Sequence, residues 1–308
     1  MPDRVYLRSF LQTELERPVP EEVRSAAADL ARGGSVAAVL FYGAHLRDGG
    51  TAAAPADVYV LVDDYRAFHG GCIAALANRM LPPTVRFLPG ANGTAGFKMA
   101  VISLAQFRHR MRSESLDTTL WARFCQPAVL AYCRDPTACR DVAAALVEAV
   151  VTAVHWAVRL CPETTTAEEL WLTLFRHTYD AELRVEKASR AYTLYAADAA
   201  RYDALLTAAL CDGELACGAK GSLRRVLPGG TTAAARAAWR RRRRLGKALN
   251  LARLAKACFT FEGGVDYIVG KLERHSGRRV GLTPWQRRHP LLAAPCVVAG
   301  LFRRGIIR

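Results

Sequence analysis

Two short segments hold the residues whose types and spacing best suit phosphate chemistry. FYGAHLRD places Gly43 and Ala44 in a turn directly after an apolar run, and DVYVLVDD opens the next apolar run with Asp57. Glycine lets a backbone approach phosphate oxygens closely, and carboxylate oxygens are ligands for Mg²⁺. A phosphate-holding turn beside an acidic strand is the arrangement that nucleotidyl transfer needs. The pattern therefore indicates that chemistry, with a plain hairpin edge capped by Asp57 as the alternative.

The strand lacks the second acid that such a site usually carries. Two residues after Asp57, on the same face, stands Tyr59, and a phenol is not a hard oxygen ligand for Mg²⁺. Asp63 shares that face, but six residues of extended strand place it about 20 Å away. Residues 65–113 contain no Asp or Glu. We therefore expect the second carboxylate to come from later in the chain.

Hydrophobic patterning predicts the elements that position these residues. A helix is expected over residues 20–33, strands over 35–43, 57–63, 84–90 and 97–104, and a helix over 68–81. From 103 to 113 and from 115 to 160 the pattern is helical, and 213–235 has the composition of a loop. This order predicts an α+β fold with a mixed-sheet head at 1–114, a mostly helical body at 115–284 and a tail at 285–308.

Composition bounds the class of protein and its partners. The chain has 308 residues, 51% of them hydrophobic, so it can bury a substantial core. Its net charge of +15 favours an anionic partner, such as nucleotide phosphates, nucleic acid or an anionic lipid surface. An Arg-rich, high-GC composition is the alternative explanation of that charge.

The cysteines and the apolar runs predict the compartment. The nine cysteines have no metal-binding spacing, so we expect unpaired thiols in a reducing compartment. The charged N-terminus has no signal-peptide pattern, and we expect no membrane-spanning segment because no run of about 18 apolar residues occurs. These features predict a bacterial cytoplasmic protein.

Four stretches resemble one family. FYGAHLRD with DVYVLVDDYRAFH, FKMAVISLAQF, TYDAELRVE, and LAKACFTFEGGVDYIVGKLERHSG are similar to segments of the Tam-type (translocator assembly and maintenance) phosphatidate cytidylyltransferases and their bacterial relatives. The resemblance implies a nucleotidyltransferase-like domain joined to a helical, winged-helix-like domain. It also implies transfer of CMP from CTP to phosphatidic acid with Mg²⁺, yielding CDP-diacylglycerol and pyrophosphate at a membrane surface.

The resemblance also assigns site residues. It implies that Asp57 and Glu182 are the catalytic metal ligands; a surface Glu182 paired with Arg184 or Arg190 is the alternative. The implied nucleotide contacts are Tyr42, Gly43, Ala44, Lys98, Tyr179, Arg184 and Lys256. Ala44 departs from the family, which usually has serine there, and the loss of a hydroxyl donor predicts weaker binding of CTP. Either lysine could instead be an ordinary solvated side chain.

Two basic segments predict which parts of the chain contact an anionic partner. Arg240–Arg244 is an uninterrupted arginine run without interleaved aromatic residues, so we expect anionic lipid rather than nucleic acid as its partner. The tail at 285–308 alternates basic clusters with PLLAAPCVVAGLF, which is too short to span a bilayer. We expect a peripheral protein on the inner face of the cell membrane. Two alternatives stay open: a degenerate relative that binds nucleotide or membrane without turnover, and a nucleotidyltransferase with another acceptor.

Overall fold

A computed structural model describes residues 2–49, 55–88, 96–182, 189–210, 214–217, 222–227, 230–260 and 279–288, with single positions between 269 and 303. Over these residues the fold is α+β, as predicted, with a mixed five-stranded sheet and a larger set of helices. Most of the predicted helix in GVDYIVGKLERHSG and most of the predicted membrane-contacting tail at 285–308 lie outside the described residues.

The main sheet is built from strands of both predicted domains. Its strands are β1 (Val36–Tyr42), β2 (Ala56–Val62), β3 (Thr84–Leu88), β4 (Phe97–Ser103) and β5 (Ala128–Cys133). They lie in the order β3-β4-β2-β1-β5; β2 and β4 are parallel and the other neighbours are antiparallel. Four of these strands were predicted. The fifth, β5, follows residue 114 and lies in a span predicted to be helical, so the sheet extends past the predicted boundary.

Helices account for most of the remaining described chain. The prediction was confirmed for the helices that follow residue 20, residue 103 and residue 136. Their bounds, with those of the others, are α1 (Arg4–Leu15), α2 (Glu21–Ala31), α3 (Ala44–Asp48), α4 (Tyr65–His69), α5 (Cys72–Met80), α6 (Leu104–Arg110), α7 (Thr119–Phe124), α8 (Pro136–Leu160), α9 (Ala167–Ala181), α10 (Ser189–Ala196), α11 (Ala199–Ala209), α12 (Thr231–Thr260) and α13 (Pro284–Arg288).

A second, small sheet lies among the body helices. Its strands are β6 (Thr164–Thr165), β7 (Leu215–Cys217) and β8 (Leu223–Arg225), in the order β6-β8-β7. The prediction of a loop over residues 213–235 was therefore wrong in part. Strands this short do not show the alternation by which a strand is found in a sequence.

Both faces of the main sheet are covered. Side chains along a strand alternate between faces, and here one set, including Leu40, Tyr59 and Leu61, packs against the helices of the body. The other set, including Val58 and Val60, packs with α2 and α4 on the opposite side. Burial on both faces explains why β1 and β2 are nearly continuous apolar runs.

The longest buried element is α8. Asp135 caps it by accepting hydrogen bonds from the N–H groups of Thr137 and Ala138, each at 2.9 Å, and Pro136 occupies its first turn. By length and hydropathy alone α8 could cross a membrane, and 72% of its most apolar window is buried inside the protein. It is the helix around which α1, α7, α9 and α12 pack.

A buried ion pair joins the first helix to the body. Arg201 on α11 donates to both carboxylate oxygens of Glu14 on α1, at 2.8 and 2.9 Å, and to the carbonyl of Cys125 at 2.9 Å. Both charged side chains are only 2% exposed. Each carboxylate oxygen of Glu14 is thus satisfied, which a buried charge requires.

One prediction about the cysteines was wrong. Cys133, at the end of β5, and Cys139, in the first turn of α8, form a disulfide with their Cα atoms 6.0 Å apart. Their sequence separation did not reveal the pairing because it depends on the tight connection from β5 into α8. Cys125 and Cys161 are free and buried, as expected of small apolar side chains.

We predict that Arg201→Met lowers the free energy of unfolding by about 3–5 kcal/mol, because it leaves the Glu14 carboxylate buried without a partner. Urea denaturation of the variant and the wild-type protein measures this. Arg176→Met, at an exposed position of α9, is the control and should stay within about 0.5 kcal/mol. The double variant Glu14→Leu, Arg201→Met should recover much of the loss. If Arg201→Met alone proved as stable as Arg176→Met, this account would be contradicted.

Candidate functional site

The predicted site residues of the head meet at one end of the sheet. Tyr42 is the last residue of β1, and its Cα partner across the ladder is Asp57 on β2. Asp57 is in turn the partner of Lys98 on β4. Directly paired residues point to the same face, and this is the face that the helical body covers. The three side chains therefore form a row across three adjacent strands.

Gly43 brings the chain against Asp57. Its φ of +93° is in the region that favours glycine, and a Cβ at this position would lie 3.0 Å from the Oδ2 atom of Asp57. The chain then enters α3, which begins at Ala44. A side chain at position 43 would collide with the carboxylate of Asp57, so the close approach of these two residues requires glycine. The glycine requirement predicted from the sequence thus has a geometric reason.

Lys98 supplies a positive charge beside Asp57. Its Nζ atom lies 3.4 Å from the Oδ1 atom of Asp57, and the two side chains are 30% and 27% exposed. The pair is therefore reachable from solvent. A lysine in this position can attract an anionic ligand to the carboxylate as a point charge.

Arg123 on α7 is a second cation, which the sequence analysis missed. Its guanidinium carbon lies 5.3 Å from the centre of the Tyr42 ring, and its Nε atom is buried without a hydrogen-bond acceptor among the described residues. Burial opposes its charge, but the hydroxyls of Tyr42 and Tyr59 and the carboxylates of Glu182 and Asp57 outweigh this effect and raise the pKa of Arg123. Arg123 thus stays charged and interacts electrostatically with both predicted metal ligands.

Glu182 reaches this region from the body. It is the residue at which α9 ends, and its backbone N–H donates to the carbonyl of Tyr179 at 3.1 Å. Its carboxylate acts electrostatically on Arg123 and also on Tyr59, whose pKa is raised mainly by burial. The body therefore places the predicted second acid within electrostatic reach of Arg123 and Tyr59.

A glycine in the middle of α12 allows this placement. A Cβ on Gly246 would lie 2.4 Å from the carbonyl oxygen of Ala181, the residue before Glu182. Glycine inside a helix costs about 1 kcal/mol relative to alanine, and here close contact between α12 and the end of α9 accounts for it.

Tyr59 explains why the strand carries one acid. Its ring packs on Tyr42 at a centroid distance of 5.4 Å and edge-on against Phe124 at 5.1 Å, and the side chain is 3% exposed. At the position of Tyr59, helix α7 covers this face of the sheet. A carboxylate in place of Tyr59 would be buried in an aromatic cluster, where its charge would be strongly disfavoured.

The other predicted nucleotide contacts differ in burial and in their distance from Asp57 along the fold. Ala44 opens α3 beside Asp57, and Tyr42 is buried under the site, where burial raises the pKa of its hydroxyl. Tyr179 is half-buried and packs against the main core. Arg184 lies outside the described residues.

Lys256 lies elsewhere. Its Nζ atom donates to the carbonyls of Leu81 and Pro83 and to the Thr84 hydroxyl, the last two at 2.9 and 3.1 Å. Thr84 pairs with Val101, three residues along β4 from Lys98, or about 10 Å. Lys256 therefore fastens α12 to the start of β3, and the structure does not bring it to Asp57.

The two acids that follow the second strand are engaged in structural contacts. Asp63 pairs with Arg134 near the start of α8, and Asp64 caps α4 by accepting from the N–H of Ala67 at 2.7 Å. No group of three or more His, Cys, Asp or Glu in the described part of the chain is arranged to hold a metal ion. A metal here would have to take its ligands from Asp57, Glu182 and the substrate.

Comparison with known proteins adds no assignment. A scan of the sequence against models of protein families finds no match, and a search of curated proteins finds no significant relative.

We predict that Gly246→Ala destabilises the protein by about 1–3 kcal/mol, although alanine is the better helix former. The added methyl would collide with the carbonyl of Ala181, and because that atom belongs to the backbone the two helices must separate. Thermal or urea denaturation measures the effect. Gly33→Ala is the matched control, since no atom lies within 4 Å of its Cβ position and its φ is ordinary. A more stable Gly246→Ala variant would refute the close contact.

Proposed function

We propose that the protein is a nucleotidyltransferase that transfers CMP from CTP to phosphatidic acid. The observation that carries this proposal is that Asp57, which packs against the Gly43 turn, and Glu182, from a separate part of the fold, both act electrostatically on the buried cation Arg123. This arrangement matches the chemical need of the reaction, which joins two highly charged phosphates and must hold both in place.

In the proposed reaction a phosphate oxygen of phosphatidic acid attacks the α-phosphorus of CTP. The new P–O bond gives CDP-diacylglycerol, and the bond from the α-phosphorus to the bridging oxygen breaks to release pyrophosphate. Lys98 and Arg123 would offset the charge of the triphosphate and of the departing pyrophosphate. Gly43 would let the backbone approach the phosphates without a side chain in the way.

The two carboxylates suit the metal that this chemistry uses. Mg²⁺ prefers oxygen ligands and is usually held by one or two carboxylates together with substrate phosphates, and Asp57 and Glu182 offer that set. When bound, Mg²⁺ would polarise the phosphate oxygens. Lys98 pairs with Asp57 at 3.4 Å, so binding of a metal to Asp57 would require the lysine to turn toward the triphosphate.

The acceptor and the location rest on the resemblance and on charge. A net charge of +15 favours an anionic surface, and phosphatidic acid resides in such a surface. The small sheet β6-β8-β7 packed among helices is compatible with a winged-helix-like body. We propose that the protein works peripherally on the inner face of a bacterial membrane.

A specific observation favours one second candidate, a protein that binds nucleotide or membrane without turnover. Ala44 replaces the serine expected at the turn, and Asp57 is already neutralised by Lys98. Incubation with CTP, Mg²⁺ and labelled phosphatidic acid distinguishes the two. Labelled CDP-diacylglycerol supports the enzyme, nucleotide binding without product supports the second candidate, and transfer to another acceptor would leave the chemistry but change the substrate.

We predict that Asp57→Asn and Glu182→Gln each lower the rate of CDP-diacylglycerol formation by about 100-fold or more, because each amide keeps the shape but loses the charge that would hold Mg²⁺. Asp180→Asn is the matched control: it lies two residues before Glu182, is exposed, and pairs with Arg243. The control should keep wild-type activity. A folded Asp57→Asn protein with the wild-type rate would remove Asp57 from the site.

We predict that Ala44→Ser tightens CTP binding by up to about tenfold. A hydroxyl that donates to a charged phosphate contributes about 1.5–3 kcal/mol at best, and part of this is lost in ordering the side chain. Calorimetric titration of CTP into both proteins measures the change. Weaker binding by the serine variant would show that the turn does not hold the phosphates in the way proposed.

A further inference from the structure

The arginine run of α12 divides into two structural classes. Arg242 is buried: its guanidinium donates to the carbonyls of Ser113 and Ser115 at 2.9 and 3.2 Å and lies 4.1 Å from the ring centre of Trp156. Arg243 pairs with Asp180 at 3.1 Å. These two arginines are accounted for by packing and by an ion pair within the protein.

The other three arginines face a common pocket. Arg240, Arg241 and Arg244 are exposed, and no carboxylate among the described residues pairs with any of them. They line a pocket of about 540 Å³ together with Leu116, Ala237 and Leu245. Two acids act on neighbouring residues instead: Glu114 acts electrostatically on Arg242, and Asp180 pairs with Arg243 and Lys247. The pocket therefore has a basic rim and an apolar floor.

The same face of α12 becomes apolar further along. Residues seven apart lie on one side of a helix, and seven residues after Arg244 stands Leu251, which is 51% exposed. Ala248, between them, is exposed as well. A helix that presents arginines next to exposed apolar side chains has the composition of one that lies on a membrane surface.

We propose that the pocket formed by Arg240, Arg241 and Arg244 binds the phosphate of an anionic phospholipid and holds α12 against the bilayer. Guanidinium groups present several donors to phosphate oxygens, and the apolar floor would accommodate the lipid next to its phosphate. The inference does not depend on the proposed catalytic reaction, because the pocket is separate from Asp57 and would act even without turnover.

The pocket chemistry favours lipid over nucleic acid. Single-stranded nucleic acids are bound by a basic groove together with aromatic side chains on which bases stack. Here the apolar lining is Leu116, Ala237 and Leu245, none of which is aromatic. An isolated phosphate would leave that lining and Leu251 without a role.

The test is flotation of the full-length protein with vesicles of phosphatidylcholine alone and with 30 mol% phosphatidylglycerol, at fixed salt. Phosphatidylglycerol is chosen because it is anionic without being the proposed acceptor. We expect the triple variant Arg240→Gln, Arg241→Gln, Arg244→Gln to lose about 100-fold in partition into anionic vesicles, since each basic side chain at such a surface contributes about fivefold. Circular dichroism and the melting temperature confirm that it folds.

The matched control removes the same charge elsewhere. Three exposed arginines on other helices are replaced in it, namely Arg8→Gln, Arg24→Gln and Arg140→Gln. It should keep near wild-type partition; an equal loss would show a net-charge effect and overturn the proposal. So would undiminished binding by the triple variant.

Two further measurements separate other surfaces and ligands. Ile73 and Leu76 form an exposed apolar stripe on α5; if Ile73→Glu with Leu76→Glu abolishes vesicle binding while the arginine variant keeps it, the docking face is α5. The protein could also bind an oligonucleotide more tightly than anionic vesicles. If the triple arginine variant loses that oligonucleotide binding, the pocket is a nucleic-acid site. Either result overturns the proposal.

Discussion

The pairing of Glu14 with Arg201 fixes the body on the sheet. A buried charge is tolerated only when its partner and its hydrogen bonds are in place, and this pair meets that condition only when α1, α7 and α11 are all assembled. The interaction therefore selects one arrangement of these helices over looser ones. Everything at the candidate site that comes from the body depends on that arrangement, including Arg123 on α7.

The candidate site lies where the helices of the body meet the sheet. How far those helices cover the sheet limits which side chains can act there. At Tyr59 the helices already cover the strand, so a second carboxylate cannot be placed there without burying it. At Asp57, one pleat nearer the end of the strand, the side chain is still reachable. The second acid of the proposed site would then come from the covering layer, and Glu182 lies at the end of a helix in that layer. Close packing at Gly246 sets how near it can come.

The sequence predicted the parts of the fold that depend on local pattern. Strands β1, β2, β3 and β4 and the helix α8 were found because their hydrophobic patterns identify them. The strand β5 was missed because a short apolar run between helical stretches cannot be told from a buried helix by periodicity. The disulfide between Cys133 and Cys139 was missed for a similar reason, since it follows from that strand.

The assignment of the site stays a prediction, although the structure brings some of its residues together. Gly43 and Asp57 could be related from the sequence because Gly43 directly follows β1 and Asp57 lies on the neighbouring strand β2, close along the chain. Glu182 was named from the family resemblance, once residues 65–113 were seen to contain no acid. Arg123 could not be found by spacing, because its relation to Asp57 passes through the packing of α7 on the sheet. A weak signal was present: an arginine inside TLWARFC, where its neighbours are apolar, requires a partner or a ligand.

The arginines of the chain fall into two groups: some bind carboxylate or carbonyl groups of the protein, and others are exposed without an acidic partner among the described residues. Arg201 and Arg242 are buried and satisfied by carboxylate or carbonyl groups of the protein, and Arg253 serves with Arg110 to hold Asp117, whose pKa their charges lower against the opposing effect of burial. These residues contribute to the net charge of +15 but are committed to the fold. Net charge alone therefore overstates the attraction to an anionic partner. The excess that matters is on exposed residues without acids, and on α12 that excess lies on one face, beside apolar side chains, where a bilayer can meet both.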